Sequence, residues 1–237
     1  RLDPNRFILV ASPQYLAARG TPRTLDDLQA QHTDGRDLWA FGYASLIWRP
    51  EFTAMEAHRT HVHGWHRALR MWSRINRGTP ACPGLVFALL QGGSCQGVVY
   101  RIGANAARDT LSRLWAREMP LTVYEPRWLP CPTPGGTVRA LAFTLSHAHP
   151  SYTGTLSDAQ YRQIFAQASG RFGSTRDYAV QTLQALRARA PSAKPFLMYG
   201  LTEAFRSTYL PPDEVDRRPD SIGKAIPNAE ILVLRDD

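Results

Sequence analysis

Residues 37–48, DLWAFGYASLIW, constrain the chain most, because a run suited to a buried strand opens directly into a turn of small residues. Leu38, Trp39, Phe41 and Tyr43 favour extended backbone, whereas Gly42, Ala44 and Ser45 let the main chain approach another group closely. A strand ending this way can aim successive N–H groups at one anionic or carbonyl oxygen. The plainer alternative is a tight turn that merely leaves a buried strand.

What surrounds this stretch must bury it. The 237 residues are 43% hydrophobic and 10% aromatic, enough for a real core in one large domain or one domain with extensions. No apolar run approaches a membrane span and the N-terminus lacks a secretory pattern, so the expectation is a cytoplasmic protein with no membrane partner. Cys82, Cys95 and Cys131 are odd in number and widely spaced, which argues for free thiols rather than disulfides or a zinc ribbon. The net charge of +8 is concentrated: residues 36–190 hold eighteen basic and eight acidic side chains. Such a surface suits a small polyanionic substrate as well as nucleic acid, so charge does not choose between them. Both lysines, Lys194 and Lys224, fall in the last segment, a shift in texture that suggests a composite chain.

Along the chain, Phe7–Ala11 reads as a strand, Ser12-Pro13 as the start of a helix ended by Gly20, and Thr24 with Asp27 as the cap of another helix. Beyond Trp48, Ala57–Trp65 and Leu69–Trp72 read as strands. Leu85–Leu90 and Cys95–Ile102 pair as strands about a Gly92-Gly93 hairpin turn. His58, His61, His63 and His66 divide between two faces at period 2, with no Cys or acid at ligand spacing, so no metal is expected. Residues Asn105–Met119 are helical, strands return near Tyr124–Pro130 and Val138–Leu145, and helices follow at Asp158–Ala168 and Asp177–Ala188. Tyr178, Leu183 and Leu186 supply the apolar face of the last of these. Phe196–Tyr199 and Ile231–Leu234 complete the expected strands.

Glu118 occupies the last turn of the helix at Asn105–Met119, beside the apolar stripe of Leu114 and Trp115. A carboxylate at a helix C-terminus is mildly unfavourable, and burial there raises its pKa toward use as a base. The alternative is a surface salt bridge to Arg113 or Arg117.

Three resemblances divide the chain into 1–34, 35–190 and 191–237. The first segment, with SPQYLAARGTPRTLDDL, resembles a fragment of the effector-binding domain of LysR-type regulators; the last, with YGLTEA and SIGKAIPNAEILVL, resembles a piece of AMP-forming acyl-CoA ligases. In the latter family the residues matching Thr202 and Glu203 contact ATP phosphates and magnesium, but the phosphate loop and catalytic lysine are absent, so no ligase activity is expected. The middle is similar to the ChaC-like γ-glutamylcyclotransferases through FGYASLIWRPEF, RGTPACPGLV, GGSCQGVVYRI, LWAREM and GRFGSTRDYAVQTLQALR, in that order.

That resemblance implies an α+β fold, a small mixed β-barrel with surrounding helices, plus two fragmentary extensions. It implies cleavage of glutathione, or another γ-glutamyl peptide, to 5-oxoproline and Cys-Gly without cofactor, metal or nucleic acid. Glu118 matches the catalytic base; Tyr43, Ala44, Ser45, Leu46 and Ile47 match the substrate-binding loop, and Tyr124 offers a substrate-side hydroxyl. Ala44 departs from the family's usual glycine. Oligomeric state is not legible, and a non-catalytic ligand-binding or regulatory protein is the alternative of a different class.

Overall fold

The computed structural model describes residues 20–32, 35–189, 197–199, 208–210, 214, 217, 224 and 225. The chain forms two compact units, 1–189 and 190–237. The expected strands at Phe7–Ala11 and Ile231–Leu234, the helix starting at Ser12, and Thr202 and Glu203 lie outside the described residues.

Among the described residues, the first element of the first unit is α1 (Leu25–Gln31), closed at its start by a reciprocal capping box between Thr24 and Asp27. Its Leu28 is fully buried in the main core, Gln29 bonds Ser112 at 3.2 Å, and the Trp128 indole donates to Gln31 at 3.0 Å. This helix is therefore built into the body of the protein. Leu28→Ala should cost about 3 kcal/mol, read as an earlier urea midpoint at constant slope; an unchanged midpoint would contradict the packing.

The central strand β1 (Leu38–Gly42) is buried along nearly its whole length because it has neighbours on both edges. It runs antiparallel to β3 (Gly84–Ile102), from Leu38 opposite Ile102 to Gly42 opposite Val98, and parallel to β5 (Gly136–Thr144). With β2 (Glu56–Ser73) and β4 (Glu125–Thr133) they make one sheet in the order β2-β3-β1-β5-β4. The sheet curls until its edges meet: Arg127 of β4 lies 5.6 Å from the Trp65 ring of β2. This is the mixed α+β class expected, with the small barrel formed as a curled half-barrel sheet.

One local expectation fails. Gly92-Gly93 is not a hairpin turn: β2 and β3 are single long strands, paired from Glu56 opposite Arg101 to Ser73 opposite Gly84. The glycines instead sit at a register shift opposite His63 and Trp65, where Gly64, Gly92 and Gly93 all take positive φ (81°, 99° and 68°). A glycine pair suits either a turn or a bulge, and here the pairing of distant strands chooses the bulge.

Helix α2 (Ser45–Trp48) follows β1, and α3 (Ala104–Glu118) follows β3. Asp37, at the mouth of β1, accepts from the Ala104 N–H at 3.0 Å while Arg101 holds its other oxygen at 2.6 Å, so the strand's entry caps the helix. Ala107, Thr110, Leu111 and Leu114 form the buried face of α3, and Pro120 prevents its continuation. Beyond β5 come α4 (Asp158–Gln167), the short strands β6 (Ser169–Gly170) and β7 (Gly173–Ser174), and α5 (Thr175–Arg189). The buried face of α5 is Thr175, Tyr178 and Thr182; Leu183, expected on that face, is 42% exposed. In the second unit, β8 (Leu197–Tyr199), β9 (Thr208–Leu210) and β10 (Lys224–Ala225) form an antiparallel sheet with β9 in the middle.

Candidate active site

Where β1 passes into α2, the chain must turn against the sheet, and four side chains fix that turn. Arg67 of β2 donates to the Tyr43 carbonyl. The Tyr100 hydroxyl reaches the Leu46 and Ile47 carbonyls at 3.0 and 3.3 Å. Trp48 donates to Thr182 of α5 at 3.2 Å, and Arg117 of α3 donates to the Ser45 hydroxyl at 3.0 Å. Each anchor comes from a different element, so the turn is held as part of the core rather than as a free loop.

The end of α3 and the entry to β4 face this turn across a small open pocket lined by Tyr43, Ala44, Ser45, Leu46, Phe87, Glu118, Tyr124, Phe143 and Tyr178. Six of the seven residues expected at the site thus come together. Ile47 does not join them: it is buried in the main core and its N–H donates to the Ala44 carbonyl at 2.9 Å, so it offers the pocket neither side chain nor donor. Phe87, Phe143 and Tyr178 were not foreseen. Their strands and helix read as ordinary core, and only the curl of the sheet gathers them on one side of the carboxylate.

Glu118 keeps 15% of its side-chain surface exposed. The salt bridge considered as an alternative to catalysis exists, with Arg117 Nε 3.0 Å from Glu118 Oε1, whereas Arg113 pairs with Asp109. Pairing and pocket exposure therefore coexist. Burial pushes the Glu118 carboxyl above its ordinary value; Arg117 pulls it back and Glu51 pushes it further up. Burial, then the neighbouring Glu118, raises Tyr43 well above a normal phenol; burial, then Tyr43 and Glu118, does the same to Tyr124. Both are neutral hydrogen-bonding hydroxyls at ordinary pH. Tyr43 donates to the Phe143 carbonyl at 2.9 Å and bonds the Tyr124 hydroxyl, forming a short chain beside the carboxylate. Tyr178, also raised mainly by burial, accepts from the Phe87 N–H at 3.3 Å.

The pocket is thus a single carboxylate of raised basicity among three neutral phenols, beside a turn whose Ser45 and Leu46 N–H groups begin a helix. It can take a proton from a bound group and hold a small polar molecule. Among the described residues no three His, Cys, Asp or Glu side chains converge as a metal site.

An α+β half-barrel, with one basic carboxylate at the end of α3 facing the turn that leaves its central strand, defines the class of protein. The chain matches the ChaC-like protein family over residues 38–207 and belongs to that family. It is similar to a glutathione-specific γ-glutamylcyclotransferase of Escherichia coli strain K12, 34% identical over 154 residues that cover 65% of this chain and 67% of that one. It is also similar to glutathione-specific γ-glutamylcyclotransferase 1 of Homo sapiens, 27% identical over 209 residues, 84% of this chain and 94% of that one. The crystal structure of a γ-glutamylcyclotransferase specific to glutathione from yeast superposes with a TM-score of 0.57 at 20% identity, covering 64% of this chain and 87% of that one. This likeness establishes the fold.

Proposed function

We propose that the chain is a γ-glutamylcyclotransferase that cleaves glutathione to 5-oxoproline and Cys-Gly, with Glu118 as general base. The observation that carries the reading is a raised carboxylate facing the Tyr43–Leu46 turn within one pocket, in a chain 34% identical to an enzyme of that name. The α-amine of the γ-glutamyl group loses its proton to Glu118 and attacks the δ-carbonyl carbon of the same residue. The new C–N bond closes the five-membered lactam, the bond to the cysteine nitrogen breaks, and the proton passes to that departing nitrogen. A carboxylate of raised pKa suits both halves of this transfer, since it accepts the proton readily and carries it until the leaving amine needs it. Nucleophile and electrophile share one molecule, so the site's work is to hold a cyclisable conformer and stabilise the developing oxyanion.

The turn and Tyr124 are assigned to substrate: the N–H groups of Ser45 and Leu46 to the glutamyl carboxylate or oxyanion, the Tyr124 hydroxyl to a polar atom nearby. Ala44 has φ of −141° and ψ of −116°, outside the left-handed region, and it is buried against the pocket wall. Ala44→Gly should therefore change kcat/KM by no more than about tenfold, mostly through KM. A dead parent restored by glycine would contradict this.

Incubating the protein with glutathione tests the reading. Equimolar 5-oxoproline and Cys-Gly are expected, and a glutathione whose α-amine is acetylated should remain intact. Turnover of the acetylated peptide would overturn the cyclisation.

Among the described residues no helix is long and apolar enough to cross a membrane. The three thiols are free, which supports a reducing, cytoplasmic setting. The flanks 1–34 and 191–237 are proposed to be additions to a 35–190 catalytic domain, the first related to LysR-type effector domains and the last to acyl-CoA ligases, neither contributing to catalysis.

A further inference from the structure

Arg117 makes more connections than a salt bridge to its neighbour requires. Its Nε lies 3.0 Å from Glu118 Oε1, its Nη2 donates to Ser45 Oγ at 3.0 Å, and its Nη1 donates to the Arg49 carbonyl at 2.7 Å. The same Nη1 is 3.1 Å from Glu51 Oε2. One planar guanidinium therefore joins the end of α3, the first residue of α2 and the loop beyond α2. Glu51 is itself unusual: it is one of two described non-glycine residues with positive φ, at 60°, a conformation that L side chains rarely adopt. Its carboxylate is held there between Arg117 and Arg49, whose Nε is 2.6 Å from Glu51 Oε1.

We propose that Arg117 is a positioning residue that fixes the Glu118 carboxylate relative to the Ser45 turn, and that Glu51 is the counter-charge that orients Arg117 and tempers its pull on the base. The inference rests on the cyclotransferase reading and deepens it. A proton acceptor and a loop carried by different elements must keep their separation while substrate cyclises, and a fork of fixed geometry does this where a flexible point charge does not. Lysine carries the charge but presents its donors from one atom, so it cannot span the three elements together.

The electrostatics give the pair a signature that a structural tether lacks. The groups that face Glu118 across the pocket are the Tyr43, Tyr124 and Tyr178 hydroxyls, neutral at working pH, with Arg117 and Glu51 supplying the charge beside it. Arg117 favours the ionised base and Glu51 opposes it. Removing either should move the carboxyl titration, and in opposite directions.

Three variants test this: Arg117→Lys, Arg117→Gln and Glu51→Gln. Their readouts are kcat and KM for glutathione across pH, and the Glu118 carboxyl titration by NMR in glutamate-labelled protein, assigned by its absence in Glu118→Gln. Arg117→Lys should lower kcat about a hundredfold while KM changes less than about threefold, because the base is displaced from substrate that still binds. The acid limb and the Glu118 titration should move up in Arg117→Gln and down in Glu51→Gln. Full kcat in Arg117→Lys, or titrations that move together or not at all, would overturn the proposal. Should Arg117→Gln fail to fold, Glu51→Gln still decides, provided its urea midpoint matches that of the parent, since unfolding would also lower the buried Glu118 carboxyl. The titration is read without turnover, so an inactive parent counts against the cyclotransferase reading and leaves this one to the carboxyl signals.

Discussion

Glu118→Gln should lower kcat for glutathione by about a thousandfold and leave KM near its original value, because it removes the proton acceptor while keeping the shape and polarity of the side chain. The same substitution should make the protein harder to unfold at neutral pH. Burial raises the Glu118 carboxyl in the folded chain, so the folded state binds this proton more tightly than the unfolded state does. The stability contributed by that proton is complete below the unfolded value of the carboxyl and is lost as pH rises through the folded one. At neutral pH the wild type carries a partly desolvated charge, and the glutamine variant does not. Its Tm should exceed that of the wild type at neutral pH, with the gap closing on acidification. Activity and stability thus move in opposite directions, as expected where a fold tolerates a cost at its site. A variant that keeps turnover, or loses it together with stability, would place the chemistry elsewhere.

Gly84→Ala should cost about 3 kcal/mol or more, the second large effect. A Cβ at Gly84 would lie 2.0 Å from the Arg77 carbonyl oxygen and 2.4 Å from the Thr175 hydroxyl, and the first of these is backbone. This is the joint at which α5 is fastened to the sheet. The Thr175 hydroxyl accepts from the Leu85 N–H at 2.9 Å and donates to the Arg77 carbonyl at 3.2 Å. One turn further along α5, Tyr178 reaches the pocket with Arg77 stacked 5.0 Å from its ring. Forcing this joint apart should displace Tyr178 and Thr182, and with Thr182 the anchor of Trp48. Gly135→Ala is the control: a Cβ there meets only the Thr133 hydroxyl oxygen, at 3.9 Å. Urea unfolding should show a much earlier midpoint for Gly84→Ala and nearly none of that change for Gly135→Ala. Equal midpoints would contradict the role of the joint.

The features readable from sequence are those that short stretches decide. Thr24 and Asp27 three residues apart form a capping box, the α3 stripe has helical spacing before Pro120, and Leu38–Gly42 is apolar enough to be a central strand. Glu118 stood out because an acid beside an apolar stripe at a helix C-terminus has an unusual environment. What was not readable depends on distant residues. Whether Gly92-Gly93 turns the chain or bulges it is decided by the long pairing of β3 with β2. Ile47 continues the same turn as Tyr43–Leu46, but as the third residue of α2 it turns away from the pocket and into the core. Phe87, Phe143 and Tyr178 carry no local mark that separates a pocket wall from a packed interior. Arg117 was legible as a partner for Glu118, but its reach to Ser45 and Glu51 exists only once α2 and α3 are side by side.

The central claim, that Glu118 promotes attack by the substrate's own amine rather than by water, is tested most directly by running the wild-type reaction on glutathione in heavy-oxygen water and analysing the products by mass spectrometry. Cyclisation predicts 5-oxoproline free of the label, in equal amount with Cys-Gly. Labelled glutamate in place of 5-oxoproline would show that water is the nucleophile and would contradict it.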